Sequence, residues 1–172
     1  SLKTSDNTMT EVEGRLVAAH AKETTDFSGA SKAVLAQLSK DGFDTSGVTL
    51  LDSSGLAKGN KVPARLLTQI MTKAAGGEGG SAGRTLIADL PVAALDGTLG
   101  NRLHDTSAAG TVRAKTGSLE QTASLAGVVT TADGRQLAFA VMANGFPANG
   151  GGAAAAAIDN HFVAPLASCG CS

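Results

Sequence analysis

A hydroxyl, a carboxamide and an ammonium group, in the strings Ser5-Asp6-Asn7 and Lys115-Thr116-Gly117, are the side chains of this chain best suited to chemistry. A hydroxyl donates and accepts at once, an amide carries a donor and an acceptor on one planar head, and an ammonium is a compact charge. Taken singly, each string is ordinary. Ser, Asp and Asn before an apolar-periodic segment are common cap and loop residues, and Thr-Gly after a strand lysine makes a common turn. In this order, with the lysine on a predicted strand that opens a meander, the two together are more specific, because a motif counts only in its structural context.

The elements that must position these groups belong to one domain's worth of chain, 172 residues with 42% hydrophobic and 17% charged content. A net charge of -1 gives no global field for nucleic acid or an anionic membrane, so an anionic ligand must be held by local charge. Trp and Tyr are absent and Phe numbers five, which argues against base stacking. His20, His104 and His161 are scattered without ligand spacing, and no metal or cofactor is expected. Cys169 and Cys171 read as a tail pair or a short local disulfide. No apolar run approaches the roughly 20 residues that span a bilayer. The chain starts Ser1-Leu2-Lys3 without Met, so a missing leader says little about destination.

Apolar spacing predicts a helix over 8–21, with Thr8 and Glu11 as a capping box. Further helices are expected over 28–39 and from Pro63 to Lys73. Val48 to Asp52 reads as a short strand or an extended approach to the Ser53-Ser54-Gly55 turn. Gly76 to Gly83 reads as a flexible loop, and 86–103 as short pieces broken by Pro91 and Asp96-Gly97. Strands are predicted over 111–116, 123–131 and 135–143, the last two joined by Ala132-Asp133-Gly134. An alanine-rich helix closes the chain from 153 to about 167. Helices first and a meander later give an α+β fold.

The strings Leu51-Asp52-Ser53-Ser54-Gly55-Leu56, Leu95-Asp96-Gly97-Thr98-Leu99, Ala114-Lys115-Thr116-Gly117-Ser118-Leu119 and Ser124-Leu125-Ala126-Gly127-Val128, taken with Ser5-Asp6-Asn7, occur in a familiar order. Over nearly its whole length the chain resembles the D-alanyl-D-alanine carboxypeptidases of the penicillin-binding-protein 4 type, which are also peptidoglycan endopeptidases. Their third motif, S-x-x-K, carries the nucleophile. It is absent: none of the eight lysines follows a serine by three residues. The resemblance therefore implies that residues 1–172 are the C-terminal portion of a single transpeptidase-like domain. The nucleophile would come from an N-terminal segment, and the chain alone would be inactive. The implied fold is β-lactamase/transpeptidase-like, helices packed on an antiparallel sheet with an unpaired edge and an uncovered apolar face. The implied location is extracytoplasmic, with peptidoglycan stem peptides as substrates and β-lactams as inhibitors.

The same resemblance implies roles. Ser5 would relay a proton to the leaving amine, and Asn7 would hold the substrate's peptide group. Lys115 would place charge near the terminal carboxylate and the Ser5 hydroxyl, Thr116 would donate to that carboxylate, and Gly117 would leave the approach clear. The Ser118 backbone N–H would be half of the oxyanion hole. Lys58, after the Asp52–Leu56 turn, would face the substrate side chain, although that turn reads equally well as purely structural. Asp96-Gly97 reads as a turn and Arg113 as a solvated strand residue. A class A β-lactamase also carries S-D-N and K-T-G but needs an E-x-x-L-N string, which none of Glu11, Glu13, Glu23 and Glu78 supplies. The remaining alternative is a non-catalytic peptidoglycan-binding scaffold.

Overall fold

The computed structural model describes residues 1–169, which form two compact units. The first comprises Ser1 and Ser5–Leu66; the second comprises Leu2–Thr4 and the chain from Leu67 onward. Cys171 lies outside the described residues, and with it the question of the tail pair.

In the first unit α1 (Asn7–His20) and α2 (Phe27–Lys40) pack through small residues, Ala18 against Ala30 and Ala33. The α1 cap is Asp6, whose carboxylate accepts from Met9 N–H at 2.9 Å, and not the expected Thr8–Glu11 box. Asp6 lies nearer the first orphan amides, which frees Glu11 for another task. Its Oε1 accepts from the Ser53 and Ser54 N–H groups at 3.0 and 2.8 Å, stitching the helix to the following turn. Gly14 makes that approach possible, since a Cβ there would lie 2.0 Å from Ser53 Oγ. Val48–Asp52 contributes a single bridge, Thr49 to Lys61, rather than a strand. An apolar cleft of 370 Å³, lined among others by Val17, Val34, Leu50 and Val62, lies beside these elements. On α1, Met9, Val12 and Leu16 are 50, 46 and 64% exposed, so its apolar stripe is largely uncovered.

The second unit is built on a three-stranded antiparallel meander, β1 (Val112–Leu119), β2 (Thr122–Thr130) and β3 (Gln136–Asn144). Its strands match the sequence expectation, except that β1 runs three residues further than 116. Alternation assigns the faces. Val112, Ala114, Leu125, Val129 and Phe139 face one way and form the main core with Ile158, Val163 and Ala167. Val128 and Ala138 face the other way, against Met71 and Ala75 of α3 (Ala64–Ala75) and Ile87 of α4 (Gly80–Asp89). The expected loop at Gly76–Gly83 is partly helix, because α4 starts at Gly80. Gly83 lets it sit against α3, where a Cβ would come within 3.0 Å of the Ala74 Cα.

The closing helix has three parts: α5 (Gly151–Ile158), a π-turn over Asp159–Val163, and α6 (Ala164–Ser168). Buried Asp159 opens the π-turn and takes a two-pronged ion pair from Arg102, Nη2 to Oδ1 at 2.6 Å and Nε to Oδ2 at 2.8 Å. This pair fastens the 99–103 segment to the helix that covers the sheet.

Candidate active site

The middle residue of Ser5-Asp6-Asn7 is the helix cap, which fixes its two neighbours at the N-terminus of α1. Asn7 is the first helical residue and is exposed; Ser5 is half-buried, with φ at +56°. A left-handed backbone is uncommon outside Gly, Asn and Asp, and such strain concentrates at functional positions.

In the second unit Lys115, Thr116, Gly117 and Ser118 share one strand. Thr130 N–H donates to Thr111 O at 3.0 Å, so odd-numbered residues of β1 exchange bonds with β2 and even-numbered ones point their amides outward. That outer edge is filled at first: Ala93 N–H donates to Val112 O and Ala114 N–H to Pro91 O, both at 3.0 Å. Beyond Ala114 its amides are open, while the outward Thr116 carbonyl takes the Lys115 ammonium. Among the described residues no backbone group accepts from the Thr116 or Ser118 N–H. The open edge of the expectation is therefore real. Both sheet faces carry helices, however, and a largely uncovered apolar stripe lies on α1.

Lys115 is half-buried on the sheet face opposite the main core, across from Ala126, and its Nζ donates to Thr116 O at 2.8 Å. Burial disfavours the charged form and lowers its pKa below the usual 10.5. Gly117 lies opposite Ser124, and a Cβ at 117 would come within 2.3 Å of Ser124 Oγ. Glycine thus suits the packing of the sheet itself at this position. The Thr116 hydroxyl points to the other face and donates to Thr98 Oγ1 at 2.9 Å. Arg113 is half-buried, its Nη1 donating to Ala88 O at 3.3 Å, so it is less solvated than its sequence suggests.

In the Asp52–Leu56 string the aspartate is satisfied within its own loop, although Glu11 ties the Ser53 and Ser54 amides to α1. Asp52 is buried and accepts from Gly55 N–H and Asn60 Nδ2 on Oδ1 (2.8 and 2.7 Å) and from Ala57 N–H on Oδ2 (2.7 Å). Burial opposes its ionisation, but these bonds and one from Ser54 outweigh it and hold the pKa below the usual 3.8. Lys58 projects exposed from this turn. Among the described residues no three His, Cys, Asp or Glu side chains gather to hold a metal, and no helix is long and apolar enough to cross a membrane.

Asp96-Gly97, expected as a turn, leads directly into Thr98, whose side-chain contact the turn signal does not reveal. The segment contains a 3₁₀ turn (Gly97–Leu99) that touches the lysine strand through Thr98. The available signal was the position of Leu95–Leu99 among the strings that carried the resemblance.

Fold and edge together define an α+β chain of the β-lactamase/transpeptidase-like class: penicillin binding protein 4 (dacB) from Haemophilus influenzae, solved with a β-lactam, superposes with a TM-score of 0.78 at 32% identity over 84% of this chain and 34% of that one. The chain belongs to the D-Ala-D-Ala carboxypeptidase 3 (S13) family, whose profile matches residues 1–165. Carboxypeptidase DacB of Mycolicibacterium smegmatis is 46% identical over 171 residues, 97% of this chain and 36% of its own length. The D-alanyl-D-alanine carboxypeptidase of Actinomadura sp. is 41% identical over 115 residues, 63% of this chain and 20% of its own length. The chain spans about a third of the length of the first two curated relatives it matches.

Proposed function

We propose that this chain is the C-terminal portion of a single penicillin-binding domain that acts as a serine-type D-alanyl-D-alanine carboxypeptidase and endopeptidase on peptidoglycan stem peptides, outside the cytoplasm. The nucleophile comes from an N-terminal segment carrying S-x-x-K, and residues 1–172 alone are inactive. The serine oxygen attacks the penultimate D-alanine carbonyl while the lysine of its own motif takes the proton. The oxyanion is held by the Ser118 N–H and the serine's own N–H. On collapse the C–N bond breaks, Ser5 relays a proton to the departing D-alanine, and water then hydrolyses the ester. Asn7 holds the peptide group, Lys115 places positive charge near the terminal carboxylate and the Ser5 hydroxyl, and Thr116 donates to that carboxylate. Lys58 reaches the substrate side chain.

The observation that carries this reading is the open outer edge of β1, where the outward Ser118 N–H follows a half-buried lysine on one strand. An extended peptide can add to such an edge. Family membership and the names of the relatives support the reaction class. The exposed Met9, Val12 and Leu16 stripe supports a covering segment.

The test is the mass of the longer polypeptide, S-x-x-K segment included, after incubation with benzylpenicillin, together with D-alanine release from a D-Ala-D-Ala peptide. One penicilloyl adduct on the S-x-x-K serine and released D-alanine are expected. No adduct on any serine favours the scaffold alternative, and D-alanine release by purified residues 1–172 shows that the nucleophile has been misplaced.

A further inference from the structure

The Asp96-Gly97-Thr98 string has no part in the chemistry above, yet each of its residues makes a specific contact within the second unit. Asp96 Oδ2 accepts from Lys3 Nζ at 2.5 Å and its Oδ1 from Val92 N–H at 2.7 Å. Thr98 N–H donates to Lys3 O at 3.1 Å. Between them Gly97 adopts φ +56°, and a Cβ there would lie 2.5 Å from Lys3 O, so a glycine is needed for the two segments to meet. The clamp fixes the Thr98 backbone against Lys3 and leaves its hydroxyl 2.9 Å from that of Thr116.

From this geometry we propose that Thr98 is the positioning residue for the Thr116 hydroxyl and thereby sets selectivity for a substrate that ends in a free carboxylate. The proposal rests on the carboxypeptidase reading and deepens it. A threonine hydroxyl has one proton and two acceptor sites. Without ligand, Thr116 spends its proton on Thr98. When a carboxylate arrives, both protons rotate: Thr98 donates to Thr116, and Thr116 turns its own proton to the anion. No bond between heavy atoms changes. The bound form then has a two-hydroxyl chain ending on a charge, which fixes the Thr116 rotamer and polarises its O–H. A neutral carboxamide terminus gains far less from such a chain. Thr98 touches no reacting atom, so its contribution appears as discrimination between termini.

In the longer polypeptide, T98V and T98S are compared with the unsubstituted protein on a D-Ala-D-Ala peptide and on the same peptide ending in a carboxamide. Thr98→Val is expected to lower the preference, the ratio of the two kcat/KM values, by about tenfold. Thr98→Ser should restore it to within about threefold, since the hydroxyl survives. Equal losses on both substrates would show that Thr98 is merely structural and overturn the proposal, as would an unchanged ratio. T98A, which leaves only a small gap, gives the same comparison if T98V does not fold. An unsubstituted protein that cleaves neither peptide and takes no penicillin sinks the underlying reading instead, which separates the two failures.

Discussion

Gly117→Ala separates two reasons for a glycine in the lysine string. The added methyl would lie 2.3 Å from Ser124 Oγ but 3.6 Å from Ser124 Cβ, so the hydroxyl alone is in the way. The backbone at 117 is ordinary strand, which any residue adopts. To accept the methyl, Ser124 must leave its rotamer or the β1–β2 pair must part slightly, and overpacking of this kind costs about 1–3 kcal/mol. Because a serine on a sheet face has other rotamers, the lower half is expected, about 1–2 kcal/mol. At roughly 2–4 °C per kcal/mol for a chain of this size, melting falls by about 2–8 °C. Ser124→Ala clears the site, so the double variant G117A/S124A should recover most of the loss, with a coupling energy of about 1 kcal/mol.

The melting series should be run beside penicillin acylation of the longer polypeptide. If glycine also keeps the substrate's path clear, acylation stays slow in the double variant after its stability has returned. Strictly additive melting temperatures, with coupling under about 0.3 kcal/mol, would refute the contact argument. Full recovery of acylation would refute the access argument and leave packing as the sole reason.

Three other expectations are more direct. Lys115 has its pKa lowered by burial, so an alkaline limb in the acylation rate should appear below 10.5 and vanish in Lys115→Met; a limb at or above 10.5 contradicts the burial. The sign for stability is the reverse of a paired lysine's: between the lowered value and 10.5 the unfolded chain binds more protons, so Lys115 makes stability rise with pH there. Asp52→Asn keeps one neutral acceptor oxygen, so one of the Gly55 and Ala57 amides loses its acceptor, and the change should cost about 2–4 kcal/mol in urea unfolding. The Asp52 contribution is present above 3.8 and is lost as pH falls through its lower folded value, so the gap to D52N should close in acid; a gap independent of pH would be contrary evidence. Arg102→Met strands a carboxylate whose side chain is only 10% exposed and should lower stability by about 2–4 kcal/mol, with hydrogen exchange rising first in α5 and the π-turn.

How much of this was legible follows from what each residue depends on. The meander could be read because period-2 alternation and Ala132-Asp133-Gly134 are local signals, and the turn closes as expected, with Gly134 at φ +81° and Thr131 N–H bonded to Arg135 O. The capping box could not be resolved, because Thr8–Glu11 and Asp6–Met9 are both plausible caps and the choice is made by a turn some forty residues away that claims Glu11. The glycine-rich stretch misled for a similar reason. Glycine marks freedom in isolation, while Gly83 is used for close packing against Ala74.

The two turn strings show how similar signals diverge. Both Asp52-Ser53-Ser54-Gly55 and Asp96-Gly97-Thr98 pair an aspartate with a left-handed glycine. In the first, the carboxylate turns inward and consumes its acceptor capacity on its own loop, so its work ends where the loop ends. In the second, the carboxylate bonds Lys3 from the far end of the chain and leaves the next hydroxyl directed at the lysine strand. Sequence cannot separate these, since the difference lies in which amides and hydroxyls the tertiary fold brings within 3 Å. Physical chemistry can: an aspartate satisfied by its own turn can tolerate a change in its surroundings. One satisfied by a distant lysine ties the site's geometry to a second segment, so Lys3→Met should alter the Thr98-dependent preference while leaving the Asp52 turn unchanged.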